Sequence, residues 1–152
     1  MALILSMINE LAEYERAADQ VTGTERQLSS ALFGSRPAAE AVVAELDRRP
    51  AGFALYFQTF STWLCQPCLY LEDLYVRPNY RGDGVGRALI THVATVAVER
   101  GCPRLEWSVL GWNAPAIAFY ERLGAKRLDE WSGFRLAGAA LDELAQAADR
   151  VS

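Results

Sequence analysis

Apolar residues recur at helical spacing at Ile4, Met7, Ile8 and Leu11, which predicts an amphipathic helix over residues 2–17. Thr24 and Gln27 form the pattern of a capping box, and the helix they open runs to a stop at Gly34. Residues 40–46 and 52–60 read as strands joined by the turn from Asp47 to Gly52. A further strand covers 68–76. From Val85 the apolar positions Ala88, Leu89, Val93, Val96 and Ala97 mark a helix that Gly101 stops. Residues 105–109 give the next strand. Asn113 then caps a helix with Pro115 in its first turn, ending at Gly124. Short strands near 126–130 and 133–137 and a last helix marked by Leu141 and Leu144 complete the order ααβββαβαββα. The alternation predicts one α/β domain over residues 1–152, without linker, repeat or low-complexity tract.

Composition narrows this picture only slightly. With 152 residues, 51% hydrophobic and 22% charged, the chain can bury a full core and has the balance of a soluble globular domain. No apolar run approaches the roughly 20 residues needed to cross a bilayer, so no membrane partner is expected. The Leu3-Ile4-Leu5 cluster lacks a basic leader and is soon broken by Asn9 and Glu10, unlike a signal peptide. A net charge of −4 argues against nucleic acid and permits a cationic substrate. Three cysteines give no disulfide framework and point to the cytoplasm. Cys65-Gln66-Pro67-Cys68 has metal-like spacing, but only His92 and Cys102 remain to complete a tetrahedral site, and no metal is expected.

The chemistry concentrates in two segments. After the apolar stretch Leu69–Val76 come Arg77-Pro78-Asn79-Tyr80 and then Arg81-Gly82-Asp83-Gly84-Val85-Gly86-Arg87. The glycines remove side chains where a ligand would approach the backbone, and free amides at a helix start favour negative charge. Arg81 and Arg87 add positive charge, an arrangement suited to a pyrophosphate. The spacing and context of a dinucleotide fingerprint and the Gly-Lys of a P-loop are both absent. The second segment is Trp112-Asn113-Ala114-Pro115, followed by Ile117, Phe119 and Tyr120. Read alone, Ile117 and Phe119 belong to a core, and so does Tyr120, although its hydroxyl could reach a site rim. His92 reads as a packed or half-exposed histidine on an apolar stripe, and Trp63, Trp107, Trp112 and Trp131 as core or rim packing, although Trp63 could line an amine pocket.

Taken together, Leu71-Glu72-Asp73-Leu74-Tyr75-Val76, the glycine turn and the Trp112–Tyr120 segment resemble the GNAT acetyltransferase superfamily, and within it the spermidine/spermine (diamine) N-acetyltransferase branch. Gly52–Tyr56 and Glu10–Glu15 are similar as well. The resemblance implies a mixed, mostly antiparallel sheet flanked by helices, splayed between 68–76 and 104–109 to admit acetyl-CoA. It implies that Leu74, Tyr75 and Val76 line the pantetheine arm. Arg81, Gly82, Asp83, Gly84, Val85, Gly86 and Arg87 surround the pyrophosphate, and Asn113, Ala114, Pro115 and Tyr120 contact the cofactor further along. On the acceptor side it implies Tyr14, Glu15, Glu72 and, lining an amine pocket, Trp63. The branch forms homodimers, and one is expected here.

The implied chemistry is direct attack of a primary amine on the thioester in a ternary complex. An alkylamine is protonated at neutral pH, so a carboxylate must accept a proton, directly or through water. Glu72 takes that role on this reading and Tyr120 protonates the departing thiolate. Strand alternation puts Tyr70, Glu72 and Leu74 on one face and Asp73 on the other unless a bulge intervenes, leaving Asp73 as fallback base or member of an ion pair. The amine is expected on a small molecule such as a polyamine, a diamine or a lysine-like compound. The rivals are acetylation of a protein or peptide, and a CoA-binding module without catalysis.

Two features depart from the branch. Its members begin with a strand ahead of the first helix, whereas Met1 enters that helix almost at once, leaving strand 40–46 exposed or paired with another chain. The polyamine enzymes also carry an acid before their tryptophan, where Ser61 or Thr62 stands here, and a long polycation loses an anchor.

Overall fold

A computed structural model describes residues 1–147. Among these, four strands form one mixed sheet and five α-helices accompany them: α1 (Ala2–Tyr14), α2 (Glu25–Phe33), β1 (Glu40–Leu46), β2 (Arg49–Ser61), β3 (Gln66–Val76), α3 (Val85–Glu99), β4 (Leu105–Trp107), α4 (Ala114–Arg122) and α5 (Gly138–Gln146). The sheet order is β1-β2-β3-β4, antiparallel except for the β3–β4 pair. The chain divides into two compact units, Met1–Gly111 and the residues from Trp112 onward.

Local chemistry explains most boundaries. The capping box at α2 forms in full: the Thr24 hydroxyl accepts from the Gln27 amide, while the Gln27 carbonyl oxygen accepts from the Thr24 amide at 2.9 Å. Helix α1 stops at Tyr14, short of the predicted Ala17, because Arg16 turns left-handed with φ 61°. The β1–β2 connection is tighter than expected. Asp47 and Arg48 both have positive φ, 51° and 61°, the two-residue turn that matches strand twist. Strand β2 therefore begins at Arg49, and Pro50 is tolerated in it because the register slips there, between Ala44 and Glu45 of β1.

Both faces of β2 are covered, which explains the unbroken burial from Ala51 to Ala54. Phe53 and Leu55 turn toward α1 and α2, joining Ile4, Met7, Leu32 and Tyr75 in one apolar cluster. Gly52 lies on the other side, near Leu89 of α3, whose buried stripe is Val85, Leu89, Ile90, Val93 and Ala97. Burial of Phe53 or Leu89 contributes roughly 1.5–3 kcal/mol each. His92 falls outside that stripe and is exposed, more open than the packed or half-exposed position expected.

The expected strands at 126–130 and 133–137 do not form. No described residue pairs with this stretch, and a strand needs a ladder partner. Leu128, Trp131, Phe134 and Leu136 consequently stand exposed, and α4 and α5 bury no residue fully, so Ile117 and Phe119 are only partly covered. Trp112 is exposed too, leaving Trp107 as the one tryptophan with substantial cover. Strand β4 ends at Trp107, not 109. No strand precedes α1 among the described residues, and β1 forms the sheet edge.

A Cβ at position 52 would run into the Tyr75 carbonyl of the paired strand, with Val76 Cα 3.2 Å away. Gly52→Ala should therefore destabilise the protein by about 1–3 kcal/mol. Urea melts of the two proteins check this; equal midpoints would refute the close approach.

Candidate functional site

Strand β3 is where the sheet opens. Its ladder with β4 covers only Leu69↔Leu105, Tyr70↔Glu106 and Leu71↔Trp107, while β3 runs on to Val76. From Glu72 onward it pairs with β2 on one side and with no strand on the other, among the described residues. The Tyr70 and Ser108 hydroxyls, 2.8 Å apart, tie the strands together just before they part.

A bulge sits at the parting point. Tyr56 of β2 faces Leu71 and Leu55 faces Asp73, so Glu72 is the extra residue. The insertion reverses the alternation beyond it. Cross-strand partners share a face, so Asp73 opposite Leu55 and Tyr75 opposite Phe53 turn toward α1. Leu74, opposite Ala54, turns to the α3 side. The expected shared face of Tyr70, Glu72 and Leu74 is thereby corrected, and the bulge is the reason.

The two acids end in different surroundings. Glu72 is exposed, while Asp73 is half-buried. Burial, then the nearby Glu72 and Glu15, pushes the Asp73 carboxyl up to about 6. Burial also raises Glu15, which follows the last residue of α1. Tyr14 and Glu15 therefore do come to the same end of β3 as the two acids. Trp63 does not. It is 82% exposed in the β2–β3 hairpin, at the opposite end of β3, about 20 Å along the strand from Glu72 at its usual rise.

The glycine turn forms as predicted from sequence. After a 3₁₀ turn at Pro78–Tyr80, Gly82 (φ 88°) and Gly84 (φ 80°) adopt the left-handed conformation that side chains disfavour. Gly84 caps α3, and no side chain accepts the amides there. The first intrahelical bond runs from the Ala88 amide to the Gly84 carbonyl, so the amides of Val85, Gly86 and Arg87 precede the ladder. Asp83 and Arg87 are exposed in the same turn. An open groove lined by Gly84, Arg87, Ala88, Thr91, His92 and Thr95 continues along α3. A diphosphate fits such a start: bare amides, no Cβ in the way, and an arginine beside them.

Two arginines flank the 3₁₀ turn and reach back to α1. Arg77 donates to both Glu10 carboxylate oxygens, at 3.0 and 2.7 Å, and to the Pro50 carbonyl at 3.2 Å. Arg77 holds the Glu10 carboxyl below the usual carboxylate range. Arg81 donates from Nε to the Val76 carbonyl at 3.0 Å, and its guanidinium lies 4.9 Å from the Tyr14 ring centroid and 5.9 Å from that of Tyr75. Sequence reading gave Arg77 no role. The only hint was the shared four-residue spacing of Glu10 with Tyr14 and of Arg77 with Arg81.

In the second unit, Asn113 is buried and its side-chain oxygen accepts from the Ala116 amide at 3.3 Å. Ala114 and Pro115 form the first turn of α4, and Tyr120 is partly buried with its ring 5.4 Å from that of Phe119. The cysteines are all free thiols, Cys65 exposed and Cys68 and Cys102 buried. Among the described residues no group of His, Cys, Asp or Glu could hold a metal ion. Nor is any helix there long and apolar enough to cross a membrane.

Residues 4–125 match the acetyltransferase (GNAT) family. The chain belongs to that family. It is 43% identical to thialysine N-epsilon-acetyltransferase of Sus scrofa, over 93% of this chain and 89% of that protein. It is 31% identical to an L-ornithine N5-acetyltransferase of Arabidopsis thaliana, over 98% and 83% respectively. Among solved structures, an integron cassette protein from V. cholerae superposes with TM-score 0.77 at 28% identity, covering 94% of this chain and 90% of that one. The GNAT fold thus accounts for the mixed sheet, and acetyl-CoA-dependent acyl transfer is the chemistry of this family.

For this acetyltransferase the Arg77–Glu10 pair fixes α1 against the end of β3. Arg77→Met should cost about 1–2 kcal/mol at pH 7. Because Glu10 has a lowered value in the fold, its share of stability is present above the ordinary 4.5 and is lost as pH falls through the lowered value. The gap between variant and wild type in urea melts should therefore narrow at low pH; an unchanged gap would refute the pairing.

Proposed function

We propose that this acetyltransferase moves the acetyl group of acetyl-CoA to the terminal primary amine of a small, lysine- or ornithine-like molecule, by direct attack in a ternary complex. The observation that carries the reading is the half-strand Glu72–Val76: with no strand on one edge among the described residues, it presents two carboxylates beside Glu15. The names of the thialysine and ornithine relatives favour a short amino-acid-like acceptor. The missing acid at Ser61 or Thr62 weighs against a long polyamine, although a spermidine/spermine N(1)-acetyltransferase-like protein is also a relative, at 32% identity.

Acetyl-CoA supplies the activated acyl group as a thioester. Leu74, Tyr75 and Val76 would hold its pantetheine arm through their backbone, Gly82–Arg87 its diphosphate, and Asn113, Ala114 and Pro115 the region beyond. The amine arrives as an ammonium with a pKa near 10. The Glu72–Asp73 pair accepts its proton, and Asp73, with a value of about 6, is ionised at neutral pH yet basic enough for the task. The Leu74 amide offers a hydrogen bond to the oxygen that gains negative charge. Tyr120 donates a proton to the departing thiolate. The protein acts in the cytoplasm as a homodimer, which would cover Trp131, Phe134 and Leu136.

The pH profile tests the base. The rate should fall below about pH 6 as Asp73 protonates, and thiol release from acetyl-CoA follows it. Asp73→Asn should lower the rate about 10²-fold or more and abolish that acid limb. It should also stabilise the fold by about 1 kcal/mol at pH 8, since an acid with a raised value is disfavoured in its charged form there. Tyr120→Phe and Glu72→Gln should slow turnover while leaving CoA binding intact. Wild-type rates in all three variants would overturn these roles. CoA binding without release on any amine would mark a binding module, and preference for peptides a protein acetyltransferase.

Light scattering should give twice the 16.8 kDa chain mass, and Phe134→Ser should shift it toward monomer. A wild-type monomer at micromolar concentration would refute the dimer.

A further inference from the structure

Arg81 stands immediately before the glycine turn, where a positive charge would ordinarily be assigned to phosphate. Its side chain goes elsewhere. Nε donates to the carbonyl of Val76, behind it in sequence, and the guanidinium lies over Tyr14, with Tyr75 further off. A guanidinium over a tyrosine face within about 6 Å is an attractive contact, and Arg suits it better than Lys because its planar fork can stack and donate at once.

The contact has a partner one turn back along α1. Glu10 and Tyr14 are four residues apart on the helix and share a face. Arg77 and Arg81 are four residues apart across the Pro78–Tyr80 turn. The first arginine grips Glu10 and the second covers Tyr14. The end of α1 is thereby clasped at two successive turns by the loop that leaves β3. Glu15, whose charge acts on Asp73, is the next residue.

We infer that Arg81 is a positioning residue for the amine acceptor, its side chain holding Tyr14 and Glu15 against the open half of β3 while the diphosphate is left to the turn Gly82–Arg87. This rests on the proposed reading of Tyr14 and Glu15 as the acceptor's wall. The arginine nearest the cofactor turn thus governs affinity for the other substrate.

The experiment measures two affinities by calorimetry: CoA with the free protein, then L-ornithine or thialysine with the CoA-saturated protein. Amine KM and kcat are measured alongside. Arg81→Gln should raise the amine Kd and KM about five- to tenfold and change the CoA Kd less than about twofold. Arg81→Lys should recover part of the loss, since an ammonium can sit over Tyr14 but cannot also reproduce the fork at Val76. In a Tyr14→Leu background, Arg81→Gln should add no more than about twofold. Thermal melts report whether Arg81→Gln folds; if it does not, Arg81→Lys and Tyr14→Leu carry the same comparison. A CoA Kd that rises as much as the amine Kd, or an amine Kd that does not change, overturns the inference. Wild-type protein that binds CoA but no amine sinks the acceptor reading itself, a separate result.

Discussion

The structure depends on where β3 lets go of β4. Three residue pairs join them, and the strand then continues for five residues with one edge unclaimed. Main-chain donors and acceptors need partners, and among the described residues no other strand provides them on that edge. The amides that open α3 form a second row without intrahelical partners. Both rows belong to the single stretch Glu72–Arg87, with the 3₁₀ turn at Pro78–Tyr80 between them. A long, flexible ligand with a polar amide arm and an anionic end suits that stretch, which is the demand a GNAT enzyme meets.

The bulge at Glu72 gives the same region its asymmetry. One inserted residue turns Asp73 and Tyr75 toward α1 and leaves Glu72 in water. Burial, with Glu72 and Glu15 nearby, thereby pushes the Asp73 carboxyl up to about 6. The packing that allows this is ordinary: Phe53 and Tyr75 meet at a tilt in the α1 cluster, ring centroids 6.5 Å apart, and Gly52 lets β2 and β3 approach on the other face.

Much of this was legible from residue order. Thr24 with Gln27 announced its cap, and Gly82 and Gly84 announced the turn, because each signal is local and depends on a few adjacent atoms. Strand alternation placed the acids on the wrong faces, since a bulge is decided by the partner strand and leaves no mark in β3 itself. Trp63 was assigned to the site by resemblance, whereas hairpin geometry carries it to the far end of β3. The stretch 126–137 has strand-like residues, yet a ladder needs a second participant and the described residues offer none. Arg81 was read by its neighbours in sequence; its contacts are with Tyr14, 67 residues away. Long-range pairings of this kind are what a linear pattern withholds.

The hairpin tip has one practical consequence. Cys65 is the sole exposed thiol, while Cys68 and Cys102 are shielded, so a maleimide dye added to native protein would attach at a single native position. That position lies at the end of β3 remote from Glu72 and Asp73. A fluorophore there would report on the enzyme without crowding its chemistry, and no cysteine would have to be engineered.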